Sequence, residues 1–188
     1  SMDVLEELHE QDAHVRVIQF RRNFGKAAAY TAGFKQTGGR IVITMDADLQ
    51  DDPAEIPDLI AKLDEGYDLV SGWKQKRHDP LGKTVPSKFF NRVTGWVSGI
   101  DIHDFNCGLK AYRAEVTRDV KIYGELHRYI PVLAHLEGYR VSEIPVNHHA
   151  RQFGTTKYGW GRLLKGFLDL LTVMYIGRYF GRPLHLFG

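Results

Sequence analysis

Short apolar runs alternate along this chain with segments whose apolar residues recur every three or four positions. Val4–Gln11 carries the helical spacing, and Val15, Val17, Ile18 and Phe20 predict a strand over 15–20. Lys26–Gln36 is rich in alanine, as in a helix that packs closely on a sheet, and Gly38 with Gly39 stops it. Ile41–Met45 is apolar except at Thr44 and suits a strand buried on both faces. Pro53 fits the first turn of a helix running to Glu65, with Ile56, Leu59, Ile60 and Leu63 on one face and Gly66 at its end. Tyr67–Gly72 is a third strand. The β-α-β-α-β order predicts an α/β fold with a mostly parallel sheet and helices on both faces.

Beyond Lys74 the pattern weakens. Lys74–Pro86 is polar and basic with two prolines, as in a mobile surface loop. Phe89–Val97 returns to helical spacing, and Asp104–Arg113 reads as a strand entered through a turn. Leu126–Leu136 is a helix with Ile130, Leu133 and Ala134 inward, and Tyr139–Asn147 is a last strand that Pro145 assigns to a sheet edge. His148–Gly161 has no hydrophobic period and is rich in Gly, hydroxyls and cations. Then Leu163, Leu164, Phe167, Leu168, Leu171, Met174 and Tyr175 fall on one helical face, with Arg162, Lys165, Asp169 and Arg178 elsewhere. Charge interrupts this helix too often for a bilayer span. A basic amphipathic helix rich in Leu, Phe and Trp can instead lie in the headgroup plane.

Charge sharpens that expectation. The net +2 conceals an asymmetry: residues 140–188 hold seven Lys/Arg against Glu143 and Asp169, net +5, and residues 1–139 hold 18 against 21, net −3. A basic end interleaved with long apolar side chains fits anionic headgroups or phosphates and disfavours nucleic acid. At 188 residues, 43% hydrophobic and 26% charged, the chain can bury a sizeable core, and its single Cys107 excludes an internal disulfide framework. Ser1-Met2 reads as an expression remnant, and the ending at Arg182–Gly188, without cap or polar tail, as a truncation ahead of a membrane segment.

The candidate chemistry begins where strand 41–45 runs into Asp46, Asp48, Asp51 and Asp52. Ligands of open α/β sheets bind beyond the carboxyl ends of the strands. Carboxylates at 46 and 48 on a turning backbone can converge on Mg²⁺ or Mn²⁺, hard cations that commonly serve phosphate ligands. Asp51, Asp52 and Glu55 fit better as the acidic start of the following helix. Asn23, Gly25 and Lys26 at a helix start resemble a phosphate-facing turn. Arg151 and Lys157, among Gly and Thr, suit either an anion clamp or an ordinary solvated loop. His148 and His149, adjacent on a strand, point to opposite faces and read as structural. Asp104 at a strand entry either caps a turn or serves catalysis.

Four motifs taken together, Arg22-Asn-Phe-Gly-Lys26, Met45-Asp-Ala-Asp-Leu-Gln-Asp-Asp-Pro53, Asn106-Cys-Gly-Leu-Lys-Ala-Tyr-Arg113 and Arg151-Gln-Phe-Gly-Thr-Thr-Lys-Tyr158, resemble the bacterial polyprenyl-phosphate glycosyltransferases, relatives of dolichol-phosphate mannosyltransferase in glycosyltransferase family 2. The resemblance runs from Val15 onward. It implies a GT-A, Rossmann-like catalytic domain over 3–150, lacking its first strand, and an acceptor-phosphate loop with a membrane-interfacial helix over 151–188. It further implies transfer of a sugar, with inversion, from a UDP- or GDP-sugar to a polyprenyl phosphate at the cytoplasmic face of the cell membrane, in a full-length protein with C-terminal transmembrane helices. Asp48 and Gln50 would hold Mg²⁺ or Mn²⁺; Asp46, with Asn23, Gly25 and Lys26, would face the donor; Arg151 and Lys157 would clamp phosphates; and Asp104 would lie near the reacting sugar.

A phosphate monoester has a second pKa near ~6 and is largely dianionic at neutral pH, so this nucleophile needs no strong general base. Asp104 is then an orienting group more than a base. No Gln-x-x-Arg-Trp motif of processive synthases occurs. Two other readings stay open: a family 2 transferase with a soluble or protein-bound acceptor, and a catalytically idle membrane-associated interaction domain.

Overall fold

The computed structural model describes residues 2–75, 91–96, 98–149, 166 and 168–175. Helix α1 spans Met2–Gln11 and buries none of its side chains. Helix α2, Lys26–Gln36, starts after Gly25 and ends at Thr37, whose N–H reaches back to Gly33 O. Strand β1, Ile41–Thr44, leads through the acidic turn and a 3-10 turn, Pro53–Glu55, into helix α3, Ile56–Asp64. Strand β2 is Leu69–Trp73, strand β3 Lys110–Arg113, helix α4 Ala114–Asp119, helix α5 Ile130–Leu136, and strand β4 Val141–Pro145. Residues 91–96 and 168–175 are also helical.

The strands form one sheet in the order β1-β3-β2-β4. Strand β3 is antiparallel to both of its neighbours and β2 is parallel to β4, so β1, β2 and β4 run one way and only β3 is reversed. The expected common direction thus holds for three strands. The ladder itself is mixed, because the chain returns from 91–109 at the carboxyl end of the sheet and enters β3 from there.

Period-two alternation divides the core. Val42, Tyr112, Leu69 and Val141 lie in one register row and pack with Ala27 and Phe34 of α2, Val116 of α4, and Ile130 and Ala134 of α5. Ala111 and Val70 point the other way, onto Leu59 and Leu63 of α3, both fully buried. Burying such a leucine contributes about 1.5–3 kcal/mol, so helices are pinned to both faces as the chain order predicts. One step toward the carboxyl end the next row on the first face is polar: Thr44, Lys110, Ser71 and Glu143 stand in register across all four strands. Here the core gives way to the rim where ligands of such sheets bind.

Two expectations change, and the helix at 168–175 shows a second apolar side. Residues 15–20 form no strand: the Val15 N–H bonds Asp12 O at the end of α1, Ile18 and Phe20 stay exposed, and no described strand runs alongside. Apolar alternation becomes a strand only where a neighbouring backbone supplies the ladder. Lys74 is not on a mobile surface; its side chain is mostly buried against Asp51, while residues 76–86 of that expected loop lie outside the described residues. In helix 168–175 the inward stripe is Leu170 and Val173, which join Ile100, Ile102, Phe105, Tyr129 and Val132, whereas Leu168, Leu171 and Tyr175 of the expected face are exposed. The helix is apolar on two sides, and periodicity does not say which one turns inward. No helix among the described residues is long and apolar enough to cross a membrane.

Candidate functional site

The site is built on the turn that follows β1. Asp46, Asp48 and Gln50 are all half-buried on it, and the Gln50 N–H points to Asp48 Oδ1 at 3.3 Å. Between them Leu49 has φ 60°, the left-handed region that costs a non-glycine residue about 1–2 kcal/mol. Its side chain is 58% exposed, so packing does not explain the strain. Such strain persists where the surroundings over-determine the backbone, and it clusters at ligand sites.

The start of α2 closes on this turn from the side. Gly25 takes φ 87°, its N–H bonded by Asn23 Oδ1 at 2.8 Å, and that kink delivers Lys26 to Asp46, with Nζ 2.5 Å from Oδ1. Lys26 and Asp46, 20 residues apart in sequence, are thus brought together. Both remain about one-third exposed, within reach of a ligand.

The floor comes from the segment entering β3. Gly108 lies against Asp46 so closely that a Cβ there would be 2.6 Å from the Asp46 carboxylate. Its carbonyl accepts from Thr44 Oγ1 at 2.9 Å. Asp104, earlier in the same segment, is 1% exposed, with Oδ1 accepting the Asn106 N–H at 3.1 Å. Glu143 of β4 supports that corner: Oε2 accepts the His103 N–H at 2.7 Å, Oε1 pairs with the His103 ring, and the ring stacks on Trp73 with centroids 4.1 Å apart. Lys110 is fully buried beneath, donating Nζ to Cys107 O. Burial draws its pKa below the ordinary lysine value, and the same burial pushes the Cys107 thiol up to about 11, so that sulfur stays a neutral thiol at neutral pH.

The acids after the turn divide differently from the sequence reading. Asp52 does stand at the start, capping the 3-10 turn with Oδ1 accepting the Ala54 N–H at 2.9 Å, and Glu55 receives the Asn147 side chain at 2.6 Å. Asp51 does not start the helix. Its side chain is 1% exposed and faces inward, where Lys74 Nζ is 3.0 Å from Oδ1, His148 Nδ1 is 3.8 Å from it, and the Asp46 N–H points to Oδ2 at 3.3 Å. Burial by itself raises the Asp51 pKa; the contacts to His148 and Lys74 outweigh it and hold the carboxyl far below the usual range. The two histidines do point apart, His148 to Asp51 and His149 to Asp52 at 3.3 Å. Arg151 and Lys157 lie outside the described residues.

Sequence reasoning missed Gly108, Lys74, Glu143 and the inward role of Asp51. Gly108 was signalled only by its place inside a motif, and the other three become visible only once distant strands are aligned. As a donor set, Asp48 and Gln50 with Asp46 beside them offer oxygen ligands, and no group of three or more His, Cys, Asp or Glu gathers for a metal among the described residues. That chemistry fits Mg²⁺ or Mn²⁺, which takes one or two carboxylates and completes its shell with water and substrate phosphates, and it does not fit a protein-only cage.

The profile of glycosyl transferase family 2 matches residues 1–121. Dodecaprenyl-phosphate galacturonate synthase of Rhizobium johnstonii is 43% identical over 178 residues, covering 93% of this chain and 53% of that protein. Undecaprenyl-phosphate 4-deoxy-4-formamido-L-arabinose transferase of Salmonella paratyphi B is 41% identical over 165 residues, 88% of this chain and 50% of its own length. The chain therefore spans about half the length of these curated relatives. Among solved structures, glucosyl-3-phosphoglycerate synthase of Mycobacterium tuberculosis with Mn²⁺ and UDP-glucose superposes with TM-score 0.60 at 16% identity, covering 90% of this chain and 58% of that one. Its complex with phosphoglyceric acid gives TM-score 0.61 at 16% identity, with 91% and 64% covered. At that identity the likeness is one of fold: the alternating α/β, GT-A type with a central mixed sheet.

Proposed function

The chain belongs to glycosyl transferase family 2, and on that premise we propose that the protein transfers a sugar from a nucleotide diphosphate donor to a polyprenyl phosphate. The observation that carries the reading is the turn after β1, where Asp46 is paired with Lys26 and backed by Gly108 while Asp48 and Gln50 share a strained loop at the carboxyl end of the sheet. Asp48 and Gln50 would hold a divalent cation, which would supply charge neutralisation to the leaving diphosphate. Asp46 and Lys26, with Asn23 and Gly25 shaping the helix start, bind and orient the donor. Asp104, fixed by the Asn106 N–H, orients the reacting groups, and the dianionic acceptor phosphate attacks without a strong base. Arg151 and Lys157 are the phosphate clamp of this proposal, and residues 3–150 and 151–188 its catalytic and acceptor-side regions.

The lipid acceptor is favoured by two relatives above 40% identity that are named for prenyl-phosphate substrates. It is also favoured by the exposed apolar side chains Leu168, Leu171 and Tyr175, which fall within the basic stretch 140–188 of the sequence. The membrane surface at the cytoplasmic face is the partner that such a stripe fits. The deciding experiment offers the full-length protein a panel of UDP- and GDP-sugars with a short polyprenyl phosphate, with Mn²⁺ and with chelator. Metal-dependent appearance of a glycosyl prenyl phosphate is expected. Transfer only to soluble phosphorylated acceptors would overturn the lipid assignment, and absence of transfer and of donor hydrolysis would leave an idle domain.

A further inference from the structure

The turn that carries Asp46, Asp48 and Gln50 contains a strained Leu49, so something outside the turn must hold its shape. Three side chains from separated parts of the chain are arranged to do so. Asp51 reaches inward and accepts the Asp46 N–H. Lys74, at the carboxyl end of β2, neutralises it from 3.0 Å, although the ammonium lies off the line of a good hydrogen bond to that oxygen. His148, on the segment after β4, forms a backbone bridge with Asp51 and brings its ring Nε2 to 3.3 Å from Gln50 Nε2. The neighbouring His149 N–H bonds Gln50 O at 2.9 Å, and its carbonyl accepts the Gln50 side-chain amide at 3.2 Å. Lys74 is 14% exposed, His148 10% and Asp51 1%, so the cluster lies beneath the surface and not at an open site.

We infer that Asp51, Lys74 and His148 are positioning residues, a buried brace that fixes the donor-binding turn and ties it to the segment that follows β4. The inference rests on the donor-site reading above. A buried ion pair is retained at a net stability close to that of an apolar pair of similar volume, so its value here lies in the one arrangement it specifies. It also ties the turn to the segment that follows β4, through the Asp51–His148 bridge and the His149–Gln50 contacts. His148 touches both the acid that anchors Asp46 and the side-chain amide of Gln50.

The test uses the full-length protein and the double variant Asp51→Leu with Lys74→Met, which keeps the cluster filled while removing both charges. In metal-free protein, hydrogen exchange over residues 45–50 is expected to speed about tenfold with little change in melting temperature, and calorimetric Mn²⁺ affinity to fall by about tenfold. Lys74→Arg, which keeps the cation, is expected to behave as the wild type on both readouts. Should the double variant fail to fold, His148→Leu leaves the ion pair intact and carries the same expectation. A folded variant with wild-type exchange overturns the brace, and faster exchange with unchanged Mn²⁺ affinity overturns its positioning role. If the wild type binds no Mn²⁺, the donor-site reading fails and the positioning role fails with it, whereas the exchange comparison alone still decides whether the brace exists.

Discussion

Gly108 and Asp46 illustrate how one missing methyl shapes the site. Any Cβ at 108 overlaps the Asp46 carboxylate, which is already held on its other side by Lys26. Gly108→Ala is therefore expected to move the carboxylate and not the sheet: donor binding by calorimetry falls about tenfold, a loss of about 1.4 kcal/mol, while the thermal midpoint stays within a few degrees. Asp48 and Asp104 make a second comparison. On the proposed assignment Asp48→Ala removes a cation ligand, and it is expected to abolish transfer. Asp104→Asn keeps the shape of an orienting group and leaves measurable turnover, since the phosphate nucleophile brings its own charge. Equal and complete loss in a labelled-sugar assay would restore a general-base role to Asp104.

At the level of elements, the sequence conveyed most where an element's order depends on its own residues. Helix α2 has the predicted bounds because Gly25 and the Gly38-Gly39 pair punctuate an alanine-rich run. Helix α3 carries Leu59 and Leu63 inward as its spacing requires. What could not be read depends on partners: the missing strand at 15–20, the reversed direction of β3, and the inward stripe of helix 168–175. The acidic turn was legible in the sequence, whereas its support by Gly108 and Lys74, and the support of the Asp104 corner by Glu143, was not, since each acts from a strand or turn far away in sequence.

The 3-10 turn Leu126–Tyr129 adds a pH dependence of its own. His127 stacks on Tyr30 of α2 at 6.3 Å, and burial, aided by the nearby Arg128, Lys26 and Lys110 cations, pushes its pKa down to about 4. The unfolded chain takes up this proton near the ordinary histidine value of about 6.5 and the folded chain only near 4. The contribution to stability is thus complete above the higher value, is lost as pH falls between the two, and amounts to an order of 2–3 kcal/mol. Urea melts from pH 7.5 to 4 are expected to show that loss, and His127→Phe to flatten it.

For the molecule as a whole, polarity is distributed by position. The basic excess lies in residues 140–188, the same region that exposes Leu168 at 53% and Leu171 at 51%. Flotation with vesicles rich in anionic lipid is expected to recover the protein, and the pair Leu168→Ser and Leu171→Ser to reduce recovery severalfold. Higher salt should weaken the interaction further, because screening at 1 M shortens the reach of charge to about 3 Å. Recovery indifferent to both changes would argue against an interfacial helix.

The reversed strand also sets a schedule for synthesis. Strands β1 and β2 pair with β3 on either side and not with each other, so neither can join the sheet before residues 110–113 have been made. Each pairing closes a loop of dozens of residues, the kind of distant contact that slows folding. On the ribosome the acidic turn at 46–50 must therefore wait, unsupported, until Gly108 and Lys110 have emerged. A nascent chain halted before that point would carry the ligand residues without the fold that makes them a site.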